Sequence, residues 1–177
     1  MNVLLSCGGY FGEQVLRLIV EERHSVILVR ADIGGRPWNA AASLGISATP
    51  QTGTVLCSDI PGGTDIIMCA QSYEYVTDEA RAASRYGAIG YHPSLLPDLK
   101  GKNAIGNAIK SGRSETGGSM YVLSSGWDDG AVICSEAVDI LNGETASELW
   151  RRSLQGVGLS LYRRVLIDLK NGVIPWG

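Results

Sequence analysis

The sequence has no CxxC pair, no run of like charge and only two histidines, His24 and His92. Metal centres need Cys or His ligands at close spacing. The four scattered cysteines, Cys7, Cys57, Cys69 and Cys134, therefore read as core thiols, and no metal is expected. Fifteen Lys+Arg against eighteen Asp+Glu leave a net charge of −3 with no basic cluster, which excludes the electrostatic footprint of a nucleic-acid binder. The N-terminal apolar run Val3-Leu4-Leu5 is far shorter than a signal core or the ~20 residues of a membrane span. A cytoplasmic protein with no nucleic-acid or membrane partner is expected. The first glycine turn lacks a full GxGxxG, so nicotinamide binding has little support.

Charged residues make up 19% of the chain and hydrophobic ones 45%, a balance that buries well and argues against disorder. At 177 residues the length suits a single domain over residues 1–177. Glycine is in excess, 23 residues where an average share of about 7% would give roughly half as many; many tight turns follow.

Val3-Leu4-Leu5 has no polar face, as a buried parallel strand should not, and Cys7-Gly8-Gly9 turns out of it. A helix is predicted from Phe11 to Arg23 and a second buried strand at Val26 to Val29, with His24 a solvated capping residue between them. Residues 31–63 are punctuated by glycine and proline around a short helix, Asn39 to Leu44, and a short strand, Val55 to Cys57. Further strands are predicted at Asp65 to Ala70 and Ala88 to Tyr91, joined by a helix near Thr77 to Tyr86. A helix at Asn103 to Lys110 precedes an antiparallel pair, Ser119 to Leu123 and Ala131 to Val138. Thr145-Ala146-Ser147-Glu148 has the spacing of a capping box and opens the longest helix, whose stripe runs Leu149, Leu154, Val157, Leu161, Val165, Leu169. Arg151, Arg152, Arg163 and Arg164 lie off that stripe, on a solvated face. Strand-helix-strand units of this kind predict an α/β fold: a Rossmann-like, mostly parallel twisted sheet with helices on both faces. Its ligand crevice lies at the carboxyl ends of the strands.

Chemistry concentrates in Gly90-Tyr91-His92-Pro93-Ser94-Leu95-Leu96-Pro97. A histidine at the carboxyl end of a buried strand, followed by proline, is placed and stiffened for acid–base work; a satisfied core histidine is the alternative. In Ser124-Ser125-Gly126-Trp127-Asp128-Asp129-Gly130 two carboxylates share a glycine-rich turn. Asp129 reads as a solvated turn residue, whereas Asp128 follows a tryptophan that can desolvate it and is suited to holding an imidazole or accepting a proton.

His-Pro-Ser-Leu-Leu-Pro, Lys100-Gly101, Thr116-Gly117 and Trp127-Asp128-Asp129-Gly130, in this order and spacing over residues 65–139, resemble the folate-dependent formyltransferase family. Phe11-Gly12-Glu13 and Tyr91-His92 are similar to the formyltetrahydrofolate dehydrogenase amino-terminal domain and its bacterial relatives. The resemblance implies 10-formyltetrahydrofolate as formyl donor, a small-molecule amine as acceptor and a tetrahedral intermediate, with His92 and Asp128 catalytic. The family's oxyanion-binding Asn falls at Gly90, as it is also missing from the dehydrogenase-like branch; if a donor is lacking there, Gly90→Asn should be neutral or activating. Tyr73, Glu74, Tyr75 and Val76, largely through their backbone, and Ser124, Ser125, Gly126 and Trp127 fall at the folate site. Gly8, Gly9 and Tyr10 fall at the acceptor site.

Three readings follow: a formyltransferase acting on a small amine, a 10-formyltetrahydrofolate hydrolase releasing formate, and a binding module without chemistry. Glycinamide ribonucleotide ranks below other amines because Tyr10-Phe11 is bulky at the first turn. A monomer or homodimer is expected.

Overall fold

The computed structural model describes residues 1–176. Nine strands and six α-helices run in the order β1 (Asn2–Cys7), α1 (Gly9–Glu21), β2 (Ser25–Ala31), α2 (Arg36–Ser43), β3 (Ala48–Pro50), β4 (Thr54–Val55), β5 (Ile66–Ala70), β6 (Tyr75–Val76), α3 (Asp78–Ala82), β7 (Ala88–His92), α4 (Ala104–Lys110), β8 (Glu115–Val122), β9 (Val132–Asp139), α5 (Ala146–Leu149) and α6 (Gln155–Lys170). Seven strands form one sheet in the order β3-β2-β1-β5-β7-β8-β9. The first five pair parallel and β8 and β9 close the edge antiparallel, so the chain has the expected mostly parallel Rossmann-like architecture.

Alternation along the buried strands divides the core. Val3, Leu5 and Cys7 of β1, with Ile66 and Met68 of β5, face α1 and α6 and pack on Phe11, Val15, Ile19, Leu161, Tyr162 and Val165. Leu4 and Ile67 face the other way, onto Val55, Val76 and Ala80, where the small parallel pair β4–β6 and the short α3 form the cover. Gly90 and His92 lie at positions of β7 in step with Ala88, which belongs to this second face. Phe11 joins the two ends of the chain, its ring 5.6 Å from Tyr91 and 5.2 Å from Trp150. No helix among the described residues is long and apolar enough to cross a membrane.

Several local expectations are corrected. The helix expected at residues 39–44 begins at Arg36 because Pro37 stands in its first turn, where a missing N–H costs nothing. The strand expected to reach Cys57 ends at Val55, and Cys57 is exposed on a 3-10 turn rather than in the core. Cys7 is buried, Cys69 and Cys134 are half-buried, and all four are unpaired thiols. Thr145 and Glu148 form the capping box, but the long terminal helix is interrupted by a π turn over Trp150–Leu154. Its stripe steps by five from Leu149 to Leu154, and a wider turn is what keeps both on the buried side. Arg152 and Arg163 lie off the stripe and pair with Glu144 and with Glu21 and Glu22.

His24 is also corrected. It is buried rather than solvated, with Nε2 3.0 Å from the Leu166 carbonyl and Nδ1 3.5 Å from the Met1 amine. The carbonyl only accepts, so Nε2 carries the proton and the neutral ring leaves Nδ1 free to accept. Burial, then the positive N-terminus, lowers its pKa below the ordinary 6.5. The folded state thus disfavours protonation. Stability is complete above the unfolded-state value and is lost as pH falls below about 6.5, levelling off beneath the folded-state value. Urea midpoints measured from pH 7.5 down to 5 should fall more steeply for the native chain than for His24→Gln; parallel slopes would show that His24 does not carry this dependence.

Candidate active site at the carboxyl ends of the parallel strands

The sheet order reverses direction between β1 and β5, with β2 and β3 on one side and β7 on the other. This is where open α/β sheets take ligands. At the first turn the chain crosses closely: a Cβ on Gly8 would lie 2.7 Å from the Gln71 carbonyl oxygen, so only glycine fits. Gly9 and Tyr10 are exposed at the start of α1, and the Arg36 guanidinium lies 5.4 Å from the centre of the Tyr10 ring. Phe11, by contrast, points into the core at 1% exposure and does not crowd the turn.

His92 ends β7, and its neighbours are set by the antiparallel register, in which His92 stands opposite Ser119 and Gly90 opposite Tyr121. Ser119 Oγ accepts from Leu96 N at 3.0 Å and donates to the Ser94 carbonyl at 2.8 Å, holding the loop that follows the histidine. The Leu96–Pro97 bond in that loop is cis. His92 Nδ1 lies 3.3 Å from Asp128 Oδ2, and Nε2 lies 2.8 Å from the Leu99 carbonyl. Both neighbours accept, so the ring satisfies both at once only with a proton on each nitrogen. Asp128 is approached by further donors, Gly101 N–H to Oδ2 at 2.8 Å and the Tyr121 hydroxyl to Oδ1 at 2.6 Å. Its backbone is in the left-handed region, φ 52°, which Asp and Asn tolerate better than most residues. Asp129 is exposed and bonds Ser124, consistent with a turn carboxylate.

The two segments expected at the folate site do meet. Tyr75 Oη donates to the Ser125 carbonyl at 3.3 Å, and the Tyr75 and Trp127 ring centres are 6.0 Å apart. Tyr73 and Trp127 are 77% and 64% exposed, and Trp127 directly precedes Asp128. Ser124 Oγ accepts from Gly126 N–H at 3.3 Å and so shapes this turn. Glu74 and Val76 turn the other way. Val76 belongs to the second core cluster, and the Glu74 carboxylate takes Arg30 Nε at 3.0 Å and Nη2 at 2.8 Å, with Ser6 Oγ at 2.7 Å and Thr52 N–H at 3.0 Å. Their side chains therefore anchor the segment, and only its backbone and tyrosines are left to meet a ligand. The Glu74 hydrogen bond raises the Arg30 pKa further.

Sequence reasoning missed Tyr121, the Leu99 carbonyl and the Gly101 amide as partners of the pair. Ser119 and Tyr121 stand two apart on β8 and so share a face, the one signal that pointed to them. Gly90 is no empty position: a Cβ there would meet Leu123 Cδ1 at 3.1 Å and the Tyr121 hydroxyl at 3.6 Å. Among the described residues no group of three or more His, Cys, Asp or Glu could hold a metal ion.

Fold and site together define an α/β domain with a histidine–aspartate pair at a parallel strand end. Residues 61–166 match the family described as Formyl transferase. The chain belongs to this family. It is 26% identical over 191 aligned residues to a methionyl-tRNA formyltransferase of Coprothermobacter proteolyticus, covering 97% of this chain and 60% of the relative. Against a GDP-perosamine N-formyltransferase of Brucella melitensis it is 33% identical over 89 residues, covering 50% of this chain and 34% of the relative. The chain thus spans less than two thirds of these relatives' length. A solved glycinamide ribonucleotide transformylase 1 from Geobacillus kaustophilus superposes with a TM-score of 0.77 at 27% identity, covering 96% of this chain and 98% of that one.

Proposed function

We propose that this chain transfers a formyl group from 10-formyltetrahydrofolate to the amine of a small molecule. The observation that carries the reading is the His92–Asp128 pair, 3.3 Å apart, beside the Tyr75–Trp127 ring surface. The donor substrate supplies an electrophilic formyl carbon bound to N10. In the transfer a C–N bond forms to the amine, the C–N10 bond breaks, and one proton passes from the amine to N10. Both His92 nitrogens are engaged, Nδ1 by Asp128 and Nε2 by the Leu99 carbonyl, so in this reading Nε2 exchanges the Leu99 carbonyl for the formyl oxygen as negative charge develops there. Asp128 orients the ring through Nδ1 and takes the amine proton through water. Trp127 offers a face to the pterin; Trp127→Ala should weaken 10-formyltetrahydrofolate binding by about 3- to 10-fold with turnover of bound substrate little changed, as fluorescence titration beside steady-state kinetics would read.

Glycinamide ribonucleotide is the second reading for the acceptor. Near-complete overlap with a glycinamide ribonucleotide transformylase favours it, and the bulk that argued against it is partly removed because Phe11 is buried. Gly9 and Tyr10 lie at the start of the 13-residue helix α1, with Arg36 nearby, a setting suited to a phosphate. The deciding assay follows absorbance as 10-formyltetrahydrofolate becomes tetrahydrofolate, with no amine, with glycinamide ribonucleotide and with a pool of small amines. Conversion that needs an amine supports the transferase; conversion without one makes the chain a hydrolase, and none in any arm overturns both.

A further inference from the structure

Tyr121 and Gly90 face each other across β7 and β8. A Cβ built on Gly90 would touch the Tyr121 ring at van der Waals distance, 3.5 Å from Cε1 and 3.6 Å from the hydroxyl, and would press on Leu123 Cδ1 at 3.1 Å, so any side chain longer than a methyl meets the ring. The glycine therefore opens a gap through which a 9%-exposed tyrosine reaches Asp128 Oδ1 at 2.6 Å. Oδ2 of the same carboxylate is left for Gly101 N–H and His92 Nδ1. Burial, then the hydrogen bond to Asp128, raises the Tyr121 pKa far above its ordinary value, so this hydroxyl is a donor at any working pH. With one oxygen tied to the β8 strand and the other to the Gly101 backbone, the carboxylate plane has no free rotation.

We propose that Tyr121 is a positioning residue for the His92–Asp128 pair and that Gly90 is the gap that admits it. The inference rests on the formyl-transfer reading for its effect on rate, but not for its effect on Asp128 itself. Tyr121→Phe removes one oxygen and keeps the ring. It should lower kcat about 10-fold or more with 10-formyltetrahydrofolate affinity within about 2-fold, and the acid limb of the pH–rate profile should move to higher pH, because a carboxylate that loses a donor protonates more readily. Gly90→Leu, whose side chain extends past the Cβ into the ring, should act in the same direction by displacing it, and Gly90→Leu/Tyr121→Phe should be no slower than the slower single variant, since both break one link.

Carbon-13 NMR of the Asp128 carboxyl in the substrate-free protein supplies a readout independent of turnover. Its titration should move to higher pH in Tyr121→Phe. If native protein converts no substrate, the formyl-transfer reading fails and this titration still decides whether Tyr121 governs Asp128. If native protein is active and Tyr121→Phe keeps its rate and acid limb, the inference is overturned while the reading stands. A fall in rate with an unmoved titration and a lowered melting temperature would make Tyr121 merely structural and overturn it as well.

Discussion

Asp128→Asn should lower formyl-transfer turnover by at least about 10²-fold, or ~2.7 kcal/mol of transition-state stabilisation, while 10-formyltetrahydrofolate affinity stays within a few fold. Three donors converge on this carboxylate: the Tyr121 hydroxyl, Gly101 N–H and the Nδ1 side of His92. An amide of the same shape offers one accepting oxygen and no charge. If that oxygen faces Gly101 and His92, the NH2 group meets Tyr121, whose hydroxyl turns to accept it, and the fold survives. The left-handed backbone at this position also suits Asn. What is lost is the negative charge facing His92 Nδ1, which in the proposed mechanism receives the amine proton. Steady-state kinetics together with an unchanged melting temperature would establish this; native turnover in Asp128→Asn would remove Asp128 from the chemistry. His92→Ala should lose turnover to a similar extent, because the proposed mechanism uses the pair as one unit.

The largest effect on stability is expected at Glu74. Arg30 and Glu74 side chains are 4% and 1% exposed, and Glu74→Ala strands a guanidinium in the interior. Breaking a buried pair from one side costs about 3–5 kcal/mol, which for a chain of this size lowers the melting temperature by on the order of 10 °C. Asp59, 3.5 Å from Arg30, offsets only part of that, while Ser6 and Thr52 also lose their acceptor. Arg30→Met/Glu74→Leu should recover most of the loss, because an apolar pair leaves no unpaired charge. The effect reaches the site through Tyr73 and Tyr75, which flank the anchored residue, so Glu74→Ala should also weaken 10-formyltetrahydrofolate binding. Thermal denaturation reads the first effect and titration the second; a melting temperature within about 2 °C of native would show that the network does not hold this segment.

The central strands were legible because parallel strands buried on both faces must be continuously apolar, and β1, β2, β5 and β7 are nearly so. The histidine and aspartate were legible because His92 closes such a strand ahead of a proline-bounded loop and Asp128 follows a tryptophan in a glycine-rich turn. The capping box at Thr145 is a four-residue signal and survived intact, whereas the step of five in the stripe that follows it passed for one continuous helix. His24 and Glu74 were beyond local pattern: the partners that bury them lie 142 and 44 residues away, and spacing along the chain carries no record of such encounters.

Gly90 shows the division most directly. As a letter in the sequence it is an absence, a strand position without a side chain two residues before His92, and its local run suggests no substitute. Strand register decided otherwise, by setting Tyr121 opposite it. Local sequence determined the elements, the strand end that carries His92 and the turn that carries Asp128, since each depends on neighbouring residues. Tertiary structure alone decided that a tyrosine fills the gap and holds the carboxylate, because hydrogen bonds and close packing act between atoms brought together across strands, whatever their separation along the chain.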